Sequence, residues 1–132
     1  MSDRTFVYIA GPYTGPTHDA HSYPAIDTNI ARARYAAARL ANARVPYFCP
    51  HLNSAHFEVI TPDVGPTFWY GLDMTILRFS SALLLLFGWE ASKGACMERD
   101  EALKLGLPCF DIGRFDDLVS WWKGEKEEND GR

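Results

Sequence analysis

"ALLLLFGWEASKGACMERDEALKLGLPCF", residues 82–110, decides the fold. Its first eight residues, Ala82–Trp89, carry no charge and no apolar–polar alternation, which marks a strand buried on both faces inside a parallel sheet. A helix is expected from about Ser92 to Leu105, stopped by Gly106 with Pro108 just beyond. "PCFDI" (108–112) then opens a further strand. Strand, helix and strand in 29 residues form one crossover unit, and such crossovers are right-handed between parallel strands.

The rest of the chain extends the same alternation. "TFVYIAG" (5–11) is a β-branched and aromatic run ended by Gly11-Pro12, and "VPYFCPHL" (45–52) is a shorter strand broken by Pro50. Between them "DTNIARARYAAARLANARV" (27–45) places Ile30, Ala33, Ala37, Leu40 and Ala41 on one helical face, with Asp27, Thr28 or Asn29 available as its cap. Arg32, Arg34 and Arg39 fall mostly on the wet side. "FWYGLDMTILRF" (68–79) has a helical pattern with Trp69, Leu72, Ile76 and Leu77 or Phe79 inward, and "FDDLVSWW" (115–122) is a last short helix. The expected architecture is a three-layer α/β domain, Rossmann-like or flavodoxin-like, with four to five parallel strands. It occupies residues 1–122 as one domain, and the polar tail 123–132 is expected to be disordered.

With 132 residues, 47% hydrophobic and 14% aromatic, the chain can bury a core without disulfides or metals. A net charge of −4, with scattered basic residues, argues against a nucleic-acid partner. No run approaches the roughly 20 apolar residues that span a bilayer, so no membrane partner and a cytoplasmic location are expected. Cys49, Cys96 and Cys109 are odd in number, lack CxxC spacing and sit in apolar segments, which predicts buried free thiols. His18, His21, His51 and His56 lie in two loops without metal-ligand spacing, so neither metal nor cofactor is expected.

In parallel sheets the ligand crevice lies beyond the carboxyl ends of the strands, where strand order reverses. The loops Gly11–Asp27, Pro50–Thr67 and Gly88–Gly94 are therefore expected around one crevice. Ser92 stands where a helix cap belongs, and Gly94 lets a group approach the helix start. This is either a plain cap or a cradle for an anion. Glu98 lies within a charged stretch, but its spacing of three, four and seven from Ala95, Ala102 and Leu105 puts it on the packed side. Asp73 either caps a helix beginning near Met74 or joins Glu98 as a carboxylate pair, the equipment for cleaving a glycosidic bond. Tyr13, Tyr23, Phe57, Trp69 and Trp89 near these loops serve as packing or as surfaces for a planar ring.

Residues 6–110, above all "VYIAGPYT" and Ser92-x-Gly94-x-x-x-Glu98 behind a hydrophobic strand, resemble the nucleoside 2-deoxyribosyltransferase superfamily. The likeness is to its short bacterial and phage branch, related to 2'-deoxynucleoside 5'-phosphate N-hydrolases. The resemblance implies that Glu98 is a nucleophile attacking C1' of the sugar, that Asp73 serves the departing base, and that Tyr8 positions the nucleophile. It also implies that Gly11 approaches the sugar and that Ser92 with Gly94 holds a 5'-phosphate where transferases carry an aspartate. Tyr13 and His51 are further substrate-binding candidates. The chain departs from the hydrolases in "GPYTGPT" (11–17), which lacks an arginine near the phosphate, and in Ser81, where an aspartate is common. The expected activity is N-glycoside hydrolysis of a (deoxy)nucleoside 5'-monophosphate. The alternatives are a 2-deoxyribosyltransferase and a nucleotide-binding or sensing module without turnover. The expected assembly is a homodimer or higher oligomer, through the Asn29–Ala43 or Phe68–Phe79 helices.

Overall fold

The computed structural model describes residues 3–15 and 22–124. Strands β1 (Val7–Ala10), β2 (Tyr47–Phe48), β3 (Ala82–Leu85) and β4 (Cys109–Asp111) form a four-stranded, wholly parallel sheet in the order β2-β1-β3-β4. In the central register Val7 stands opposite Ala82 and Ile9 opposite Leu84, and Leu84 in turn faces Phe110. β1 and β3 are buried along their whole length, as their uninterrupted apolar runs predict.

Helices α1 (Tyr23–Asn42) and α6 (Phe115–Trp122) cover one face of the sheet, where Val7, Ile9 and Leu84 meet Ala33, Ala37, Leu40, Phe115 and Leu118. Helices α4 (Pro66–Leu77) and α5 (Lys93–Lys104) cover the other, where Tyr8, Ala10, Leu83 and Leu85 meet Met74, Leu77 and Ala102. Alternate residues of each strand thus feed opposite layers, giving the three-layer α/β fold. Each fully buried leucine or isoleucine of these layers contributes about 1.5–3 kcal/mol. Two short helices, α2 (Pro50–Asn53) and α3 (Phe57–Ile60), occupy the segment expected to be a plain loop. No helix among the described residues is long and apolar enough to cross a membrane.

Several boundaries differ from the pattern for local reasons. α1 begins at Tyr23, with Ser22 rather than Asp27, Thr28 or Asn29 as its cap, because Pro24 suits the first turn and the Ser22 hydroxyl accepts from Ala25 N–H at 3.4 Å. Ala41 is exposed, and Ile26, Asn29 and Ala36 fill the buried face instead. α4 starts at Pro66 behind Gly65, so Asp73 lies within the helix and caps nothing. Phe79, beyond the end of α4, is 69% exposed, and Leu105, the residue after α5, also points outward. β2 is only two residues long because it is hemmed between Pro46 and Pro50, the latter opening α2. Gly106 follows α5 with φ of 75°, the left-handed turn its position predicts.

Candidate active site

The strand order reverses between β1 and β3, so the crevice opens beyond their carboxyl ends. Leu86 N–H donates to Ala10 C=O at 2.9 Å and carries the pairing one step past β3. There Gly11 is obligatory, since a Cβ on it would lie 2.8 Å from the Leu86 Cβ. The close approach at Gly11 is therefore to Leu86. Gly88, with φ of 86°, turns the chain into a short 3-10 stretch, Trp89–Ala91.

A cavity of about 760 Å³ fills this crevice, a size typical of small-molecule sites. Gly11, Tyr13, His51, Asp73, Ser92, Gly94 and Glu98 all line it. Tyr8 does not line it but lies beneath, fully buried, and donates a hydrogen bond from its hydroxyl to Glu98 Oε2. Burial pushes Glu98 up to about 8, with the Asp73 charge adding to the rise and the Tyr8 hydrogen bond opposing it. Burial alone pushes Asp73 up to about 6. Burial, then the charges of Glu98 and Asp73, hold the Tyr8 phenol far above its ordinary value, so it acts as a donor only. The packed-side placement of Glu98 on α5 brings the two carboxylates and the phenol together.

Ser92 caps α5, its hydroxyl oxygen accepting from Ala95 N–H at 3.1 Å. This leaves the hydroxyl proton and the first free N–H groups of the helix for an anion. A Cβ built on Gly94 meets nothing within 4 Å, so the space beside the helix start is open. Lys93, between the two and not anticipated from sequence, is exposed and also lines the cavity. Ser81, where an aspartate was expected, is structural: its hydroxyl accepts from Thr5 N–H at 2.7 Å and ties the starts of β1 and β3.

The opposite wall is held by side chains. Asn29, buried in α1, donates to the Tyr13 and Thr14 carbonyls at 3.0 and 3.1 Å and fixes the loop after β1. The Tyr13 hydroxyl donates to Glu58 Oε1 at 2.9 Å and accepts from His56 N–H at 2.8 Å. His56 Nε2 lies 2.8 Å from Asp27 Oδ1, and its Nδ1 lies 3.4 Å from Glu58 Oε2. Phe57 and Trp69 meet edge to face at 5.6 Å, both lining the cavity. His51 Nε2 is 2.7 Å from the Pro12 carbonyl, so that nitrogen carries the proton. Its Nδ1 is then a buried acceptor without a hydrogen-bond partner among the described residues. Burial holds His51 below its ordinary value and neutral.

Glu58, Lys93 and Met97 are lining residues that sequence patterning did not single out. Trp89 packs against the α4–α5 layer beneath the Arg99 guanidinium, 5.4 Å from its ring, and is structural. The Glu90 side chain is exposed and nothing in the structure explains it. Of the cysteines, all free, Cys49 is buried, whereas Cys96 and Cys109 are only half-buried, against the expectation for all three. Among the described residues no group of three or more His, Cys, Asp or Glu could hold a metal ion. His18 and His21 lie outside the described residues.

These features define a class: a parallel α/β domain whose crevice, at the strand-order reversal, holds a half-buried pair of carboxylates with raised pKa values. Within that class the chain belongs to the family described as Domain of unknown function (DUF4406), which matches residues 5–111. No curated protein matches it.

Proposed function

We propose that this protein is an N-glycoside hydrolase that cleaves the base–sugar bond of a (deoxy)nucleoside 5'-monophosphate, akin to the nucleoside 2-deoxyribosyltransferase superfamily its residues resemble. The observation that carries the proposal is the Tyr8 hydroxyl bonded to a half-buried Glu98 whose carboxylate feels Asp73 across the same cavity. Between about pH 6 and 8 the carboxylate pair shares one proton that rests on Glu98. The reactive form is the one in which that proton has moved to Asp73. In the first step an ionised Glu98 oxygen then bonds to C1' as the C1'–N bond breaks, and the electron pair leaves with the base. Asp73, as the acid, gives that base a proton. In the second step water attacks C1', its proton returns to Asp73, and Glu98 departs as the carboxylate. Tyr8 holds the attacking oxygen in place and stabilises it as an anion once positive charge develops on the sugar. The start of α5, with Ser92, Lys93 and Gly94, takes the 5'-phosphate.

Water is the acceptor on the strength of serine at position 92, where the resemblance gives transferases an aspartate. The assembly is a homodimer joined through α4, whose Phe68 and Tyr70 are 57% and 41% exposed; a monomeric mass in solution scattering would exclude it. A nucleotide substrate fits a cytoplasmic protein. The catalytic assignment is tested by incubating the protein with ribo- and deoxynucleoside monophosphates and following free base by chromatography. Base release should fall at least about 1000-fold in Glu98→Ala, and release that persists unchanged would remove Glu98 from the mechanism.

A further inference from the structure

Glu98 and Asp73 suffice for the two steps above, yet the cavity holds a third carboxylate. Glu58 lines it from α3, a helix with no buried residue. Its two oxygens are held separately, Oε1 by the Tyr13 hydroxyl at 2.9 Å and Oε2 beside His56 Nδ1 at 3.4 Å. An ionised carboxylate offers about four acceptor positions, so each oxygen keeps one for a further partner. The group is thus fixed in orientation before any ligand arrives, which lowers the ordering cost of binding. The Tyr13 ring carries the hydroxyl that holds this carboxylate, and Phe57, which also lines the cavity, packs edge-on against Trp69. These are flat apolar surfaces on which a heterocycle can lie.

We propose that Glu58 is a specificity-determining residue that accepts two N–H bonds from the base, so that the preferred substrate carries two adjacent N–H donors. The assignment rests on the nucleotide-hydrolase function proposed above and names the base that such an enzyme takes. Two parallel N–H groups engage both oxygens of a carboxylate at once, the strongest arrangement available to it. A 2-amino-6-oxopurine presents that pair through its ring N1–H and its amino group. A 6-oxopurine lacking the amino group presents one, and a 2,4-dioxopyrimidine flanks its single N–H with two carbonyl oxygens that oppose the carboxylate. Glu58 is exposed, and a ring seated over it without matching N–H groups displaces the water it otherwise binds, so the wrong base loses more than one missing bond.

The test is calorimetric binding to the full chain carrying Glu98→Gln, so that no turnover is required. The ligands are the 5'-monophosphates of guanosine and inosine, in the ribo and deoxyribo series. The guanosine nucleotide should bind at least about 10-fold more tightly than the inosine nucleotide. Adding Glu58→Gln, which retains an acceptor for the Tyr13 hydroxyl, should abolish that preference by weakening the guanosine nucleotide more than the inosine nucleotide. Equal affinities before the second substitution, or a preference that survives it, overturn the role of Glu58 alone. Failure of every nucleotide to bind, together with absence of base release by the unsubstituted protein, overturns the hydrolase function as well.

Discussion

The two walls of the cavity are built differently. The α5 wall is set by backbone and packing: β3 delivers the chain to Gly88, Ser92 caps the helix, and Ala95 and Ala102 seat it so that Glu98 points to Tyr8. The α3 wall is set by polar side chains from three distant segments, with Tyr13, Asp27, His56 and Glu58 holding a single helical turn that buries no residue. One wall draws on the cooperative stability of the sheet, and the other can open without disturbing it. Glu98, the proposed nucleophile, sits on the first, and Glu58, the proposed base-reading group, sits on the second.

The largest effect expected from breaking the α5 wall concerns the buried charge. The folded protein holds a proton on Glu98 up to about 8, whereas the unfolded chain releases it near 4.5. The folded state therefore binds more protons across that window, and stability falls as pH rises through it. Glu98→Gln removes this loss, so the variant should gain on the order of 3–5 kcal/mol relative to the parent at the upper end of the window and little at the lower end. Denaturant unfolding at both ends measures it, and a gap that does not change with pH would mean the carboxylate is not buried.

Next in size is the hinge of the same wall. Gly11→Ala should cost about 1–3 kcal/mol, because its methyl meets Leu86 inside a packed layer. The double variant with Leu86→Ala should be less destabilised than the sum of the two single changes. Additive losses would show that the contact is not the cause. Ser92→Ala should cost about 1 kcal/mol as a lost cap and weaken monophosphates more than nucleosides. An equal effect on both ligand classes would confine Ser92 to capping.

The smallest global effect belongs to the α3 wall. Tyr13→Phe removes the hydroxyl that joins Glu58 to the His56 backbone. It should change the melting temperature little while amide exchange in residues 57–60 quickens about 10-fold. Unchanged exchange there would show that the polar ties do not hold the helix, and the contrast between the walls would collapse.

The same contrast explains what sequence could reveal. The parallel sheet, the four main helices and the α5 site residues were legible because apolar continuity, helical spacing and cap chemistry are local signals. Glu98 is placed on the packed side by spacings within one helix, Asp73 stands out from the residues as a cap or a carboxylate partner of Glu98, and Tyr8 comes from the resemblance. Glu58 was not legible, since α3 is a single turn too short for periodicity and its partners Tyr13 and Asp27 lie 45 and about 30 residues away. Asn29 was read as a cap although it sits in the buried face of α1, because a polar residue facing inward gives no hydrophobic signal. Ser22 was missed as a cap for a related reason: the helical pattern weakens through Tyr23-Pro24, and the hydroxyl that starts the helix lies outside the apolar stripe.

The hydroxyl–carboxylate contact between Tyr8 and Glu98 joins residues 90 positions apart, and β1 meets β3 across a similar span. Tyr8 leaves the ribosome 90 residues ahead of its partner. Until β3 has emerged the first strand has no neighbour on that side, so the Tyr8–Glu98 contact cannot form in any fragment that stops short of α5. A product truncated before α5 therefore carries no half-built crevice.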